Sequence, residues 1–85
     1  MIVFKCKVWD EHGMHARPAG ALVNCAKKFS SEIKVKNGER EANAKRLLAL
    51  LGLSARFEDE LELFVDGEDE AEAAREIKAF FGGEV

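Results

Sequence analysis

Apolar and polar residues alternate from the first turn of the chain. Ile2, Phe4, Cys6 and Val8 are separated by Val3, Lys5 and Lys7, the two-residue period of a strand with one buried face. Trp9 to Met14 has no period and predicts a loop. After His15 the spacing becomes helical: Ala16, Ala19, Leu22, Val23, Ala26 and Phe29 recur at three and four residues, which predicts a helix to about Phe29 with one apolar stripe. Ile33 and Val35 then alternate with Glu32, Lys34 and Lys36, and Asn37-Gly38 predicts a tight hairpin. The return strand, Glu39 to Asn43, carries Glu39, Arg40 and Glu41 and reads as a short edge strand. Leu47, Leu48, Leu50, Leu51 and Leu53 predict a short helix capped by Gly52. Leu61, Leu63 and Val65 define a fourth strand ending at Asp66-Gly67. A last helix follows, with Asp69, Glu70 and Glu72 at the positive end of its dipole, Ala74, Ile77 and Phe81 facing inward, and Gly82-Gly83 ending it.

The predicted order is β-α-β-β-α-β-α. Three helices on one face of a four-stranded, mostly antiparallel sheet bury both apolar sets in two layers, an α+β open-faced sandwich. The length of 85 residues fits a single domain over 1–85, and a chain this short buries only about 60 to 65% of its extended surface, so chemistry is expected on the surface. Thirteen Lys and Arg against sixteen Asp and Glu leave a formal charge of -3. Without a basic run, nucleic acid is not an expected partner, because that affinity rests on phosphate neutralisation. The apolar stretches fall far below the ~20 residues of a bilayer span, and the N-terminus lacks the basic-then-apolar order of a secretion signal, so no membrane insertion is expected. Cys6 and Cys25 are expected to be buried free thiols; their spacing fits neither a redox motif nor a zinc site.

The chemistry concentrates in Gly13-Met14-His15-Ala16-Arg17-Pro18-Ala19, which places a histidine where a loop becomes a helix. First-turn backbone amides, here Ala16 and Arg17, have no intrahelical acceptor and with the helix dipole form an anion site. Pro18 costs little in that turn because its missing N–H would be unpaired anyway. Arg17 brings a planar, permanently charged donor fork toward the same anion. One imidazole, free amides and a guanidinium are the parts needed to accept a phosphoryl group on nitrogen, and both the helix end and Arg17 disfavour the imidazolium form. By spacing alone, a lone histidine at a helix start is more often a solvated residue or a cap, so both readings stand.

The same seven residues resemble the active-site motif of HPr, the histidine-containing phosphocarrier family of the bacterial phosphoenolpyruvate:sugar phosphotransferase system. The likeness extends along the chain: Phe29-Ser30-Ser31-Glu32-Ile33 is similar to the start of that family's second strand, Asn43-Ala44-Lys45 to the approach to its short helix, and Asp66-Gly67-Glu68-Asp69-Glu70 to the approach to its last helix. The resemblance implies a cytoplasmic, monomeric phosphoryl shuttle rather than a stand-alone enzyme. Enzyme I would phosphorylate itself from phosphoenolpyruvate and pass the group to Nδ1 of His15, Arg17 would assist, and an enzyme IIA domain would receive it. Phosphoenolpyruvate and Mg²⁺ would belong to enzyme I, leaving this chain without a cofactor or metal. Lys45, Arg46, Leu47, Leu48 and Leu51 match the family's docking surface for both partners, while Leu50 and Leu53 read as core.

Three positions depart from the pattern. Arg46 stands where Gram-positive members carry a serine phosphorylated by a regulatory kinase, so that regulation is not expected; Arg46 either joins Arg17 and Lys45 in a positive rim or is simply solvated. His12 replaces a small polar residue beside the active centre and is read as incidental, since two histidines three apart without a third ligand make a weak metal site. Ser54 stands where relatives commonly have glycine. The competing function is a regulatory binding module of the same fold, but regulatory paralogues replace the active histidine and keep the serine, and this chain does the reverse.

Overall fold

A computed structural model describes residues 1–82. Seven elements follow in order: β1 (Ile2–Lys7), α1 (Ala16–Ala26), β2 (Glu32–Asn37), β3 (Arg40–Asn43), α2 (Leu47–Leu51), β4 (Glu60–Asp66) and α3 (Glu70–Phe80). The strands form one sheet in the order β1-β4-β2-β3, and all three pairings are antiparallel. The α+β open-faced sandwich anticipated from the alternation is therefore the observed architecture, with the sheet wholly rather than mostly antiparallel.

Register explains how one face becomes the core. Cys6 lies opposite Leu61 and Phe4 opposite Leu63, while Val35 lies opposite both Leu63 and Ala42. These apolar side chains share a face, because a pairing shift of one residue would send the whole set to the other side. The helices cover that face. Pro18, Ala19, Leu22, Val23 and Ala26 of α1, Leu50 of α2, and Ala73, Ala74 and Ile77 of α3 are all buried. The opposite face is charged, with Glu62 between Lys5 and Lys36, and Lys36 opposite Glu41; opposite charges across strands support pairing modestly.

Several boundaries shift for identifiable reasons. Ala16 is exposed, and α1 ends at Ala26 rather than near Phe29. Phe29 is still buried, so its side chain extends the apolar stripe after the backbone has left the helix. Asn37 pairs with Arg40, which makes Gly38-Glu39 the two-residue turn in place of Asn37-Gly38. Gly38 alone takes a positive φ, +65°, the sign pattern of a type II′ turn. Asn37 stays in the strand, and its side-chain amide donates to the Leu53 carbonyl at 3.0 Å. Gly52 caps α2 in a right-handed conformation, φ -67°; the left-handed residue of this turn is Ser54, φ +53°. Asp69 is the N-cap of α3 rather than a first-turn residue. Gly82, φ +96°, ends that helix as anticipated, while Gly83 lies outside the described residues.

Both cysteines are free thiols. Cys6 is buried, which pushes its pKa up to about 11, whereas Cys25, expected to be buried, is half-exposed on the flank of α1. No described helix is long and apolar enough to cross a membrane.

Gly20 sits inside α1 with open space where a Cβ would project. A glycine there carries only the entropic penalty of its flexible backbone. Gly20→Ala is expected to stabilise the fold by roughly 0.5–1 kcal/mol, read as a higher denaturant midpoint at unchanged slope.

Candidate functional site

The loop before α1 is a chain of local hydrogen bonds. Asp10-Glu11-His12-Gly13 closes a β-turn in which the Gly13 N–H donates to the Asp10 carbonyl at 2.8 Å. The Asp10 carboxylate folds back to accept the His12 N–H at 2.8 Å. Gly13 adopts φ +80°, and a Cβ there would lie 2.6 Å from the Ala55 carbonyl oxygen. Ala55 in turn accepts the Met14 N–H at 3.0 Å, and Met14 is buried. The loop is thereby clamped to the segment that follows α2.

His15 is the N-cap of α1, with extended backbone, and its side chain makes no cap bond to its own helix. Its N–H donates to the Gly13 carbonyl and its carbonyl accepts the Ala19 N–H, both at 3.0 Å. The backbone is thus fixed while the imidazole projects beyond the helix start. Pro18 at the third helical position offers no N–H, so the Ala16 and Arg17 amides are the first-turn donors aimed outward. Arg17 is exposed and forms no ion pair among the described residues.

The imidazole is 38% exposed, but its two nitrogens differ. Nε2 is shut off from solvent and has no hydrogen-bond partner among the described residues. It lies 3.3 Å from an oxygen of the Asp10 carboxylate, itself 20% exposed. The Asp10 carboxyl is held below the usual carboxylate range, chiefly by the His12 N–H and further by His15. A carboxylate thus faces the imidazole from the loop. Sequence reading passed over Asp10, yet a signal was present, since Asp at the first and Gly at the fourth position is a type I turn pattern. The His12 ring meets the His15 ring edge-on, centroids 5.9 Å apart.

The residues matched to a docking surface are only partly brought together. Leu48 is 81% and Leu47 39% exposed, while Leu51 is half-buried against the core and Leu50 and Leu53 lie fully within it. The chain leaving α2 reaches Ala55, the clamp on the Gly13 loop, within four residues of Leu51. Arg46 is exposed at the N-cap of α2, not inside its first turn, and its side chain caps nothing. The Lys45 Nζ donates to the Phe29 carbonyl at 2.7 Å. Phe29 follows the C-terminal end of α1, at the opposite end of the helix from His15.

Comparison with known proteins finds relatives in sequence and in fold. The family model described as the PTS HPr component phosphorylation site matches residues 2–82. A phosphocarrier protein HPr of Lysinibacillus sphaericus is 44% identical over 66 residues, covering 78% of this chain and 75% of that protein. One of Treponema pallidum is 36% identical over 81 residues, covering 95% and 92%. The solved structure of a histidine-containing phosphocarrier protein of Mycoplasma superposes with a TM-score of 0.88 at 32% identity, covering 93% of this chain and 90% of that one. With the family match, the Treponema relative and the Mycoplasma structure all spanning nearly its whole length, the chain belongs to the PTS HPr family.

Proposed function

We propose that this chain is a single-domain phosphoryl carrier that takes a phosphoryl group from enzyme I onto His15 and delivers it to an enzyme IIA domain. The observation that carries the reading is the asymmetry of the imidazole: Nε2 is enclosed beside Asp10, so Nδ1 is the nitrogen an incoming phosphoryl group can reach. Its lone pair forms the new N–P bond, and the bond from phosphorus to the donor breaks with its electron pair returning to the donor. The Ala16 and Arg17 amides and the Arg17 guanidinium supply donors for the charge on the phosphoryl oxygens. Delivery to enzyme IIA is the same displacement with the acceptor as nucleophile.

A domain with a site this open turns over no small substrate by itself; phosphoenolpyruvate and Mg²⁺ serve enzyme I. Exposed Leu47 and Leu48, with the uncovered edge of Leu51, offer both partners an apolar contact, and Arg46 adds positive charge at its margin. The reading places the protein in the cytoplasm as a monomer.

The test is incubation with enzyme I, Mg²⁺ and phosphoenolpyruvate, followed by intact-mass measurement and acid treatment, with His15→Ala as the blank. A gain of one phosphoryl group, lost in acid and absent in the variant, is expected. Failure to accept the group from a competent enzyme I of the same organism would sink the carrier reading and leave a binding scaffold.

A further inference from the structure

We infer that Asp10 is a positioning residue for His15: its carboxylate holds the neutral imidazole with the proton on Nε2 and so keeps the Nδ1 lone pair free for phosphorus. The inference deepens the carrier reading and rests on it for its consequence, though its central claim concerns the ring alone. Asp10 Oδ1 is committed to the His12 N–H at 2.8 Å, which orients the carboxylate and directs Oδ2 to His15 Nε2 at 3.3 Å. Nε2 is closed to solvent and makes no hydrogen bond among the described residues, so the Asp10 carboxylate is the polar group it faces. A bare nitrogen lone pair there would face carboxylate lone pairs, with no water to intervene. A proton on Nε2 converts that repulsion into an attraction, and the neutral ring carries its one proton on one nitrogen only.

The same contact serves the product. When Nδ1 takes the phosphoryl group and Nε2 keeps its proton, the ring becomes formally cationic. Asp10 then stands against that charge in the way an acidic residue orients and stabilises a catalytic histidine elsewhere. No proton is transferred in the step, and the donor keeps the electron pair of the broken bond.

Asp10→Asn separates charge from loop geometry. Its Oδ1 can still accept the His12 N–H and preserve the turn, but an NH₂ now faces Nε2. That donor needs a lone pair on Nε2, which moves the ring proton to Nδ1 and blocks the nucleophile. The experiment is a long-range ¹H–¹⁵N spectrum of the ring above the histidine's titration, paired with single-turnover phosphoryl transfer from enzyme I.

The wild-type ring is expected as the Nε2–H tautomer. Asp10→Asn is expected to shift the population to Nδ1–H and slow acceptance at least tenfold, with the backbone spectrum unchanged, and Asp10→Glu to recover part of the rate. A wild-type ring protonated on Nδ1, or an asparagine variant with unaltered tautomer and rate, would overturn the inference. The wild-type spectrum decides even if a variant folds poorly. A wild type that accepts no phosphoryl group would instead remove the carrier reading, leaving the tautomer question answered separately.

Discussion

Gly67→Ala is expected to destabilise the fold by about 3 kcal/mol or more, because the added methyl lands on a point that cannot yield. Gly67 has φ +156°, and a Cβ would lie 2.5 Å from Ser31 Oγ and 2.7 Å from Ser31 Cα. Ser31 is buried and tied down: its N–H donates to Asp69 at 3.0 Å, its hydroxyl donates to the same carboxylate, and the neighbouring Ser30 N–H adds a bond at 2.9 Å. This clasp joins the end of β4, the start of β2 and the N-cap of α3. Total stability at about 0.05–0.15 kcal/mol per residue is roughly 4 to 13 kcal/mol for 85 residues, so the loss is a large share. Chemical denaturation should show a much lower midpoint; a midpoint near wild type would mean that Ser31 moves aside freely.

The clasp also sets an acid limit. The Asp69 carboxyl is held below the usual carboxylate range, first by the Ser31 hydroxyl and then by the Ser30 and Ser31 amides. The unfolded chain therefore binds a proton at this group more readily than the folded one. Its stabilisation is complete above the unfolded carboxyl pKa near 4 and is lost as pH falls through the lower folded value. Stability should decline with acid below about pH 4, and less steeply in Gly67→Ala, where the clasp is already loosened.

What could be read before the structure was whatever repeats. The periods of β1, β2, β4, α1 and α3 located their buried faces, because each buried set must meet a core at period two or 3.6. The misreadings sit where one hydrogen bond outweighs a pattern. Asn37 is drawn into the strand by the Leu53 carbonyl, so the turn moves to Gly38-Glu39. The position of His15 at the N-cap of α1, with Ala16 and Arg17 opening the helix, was legible because adjacent residues share one helix end. Asp10 was not, because what matters is its distance to a ring nitrogen across a loop with no period.

That loop is also where one methyl group should separate function from folding. Gly13→Ala is expected to slow phosphoryl acceptance about a hundredfold while leaving the domain folded. At φ +80° a side chain is strained, and the Cβ would sit 2.6 Å from the Ala55 carbonyl oxygen and 3.2 Å from Arg56 Cα. The opposing wall is itself held: the Glu58 N–H donates to Val8 at 2.9 Å, and the Val8 N–H donates to Asp59 at 3.0 Å. The loop must therefore move instead, stretching the Met14–Ala55 bond and carrying with it the Gly13 carbonyl that takes the His15 N–H. A displacement of about 1 Å at a reacting group costs on the order of 10²-fold in rate. The buried faces of the sheet and helices are untouched by this shift, so the loss should appear in single-turnover transfer from enzyme I, with the backbone spectrum changed only around residues 8–16 and 55–59. Gly20→Ala, which adds the same methyl to open space on the adjoining helix, is the control for whether that part of the chain tolerates a side chain at all. A Gly13→Ala variant transferring at the wild-type rate would show that the imidazole finds its position without the clamp.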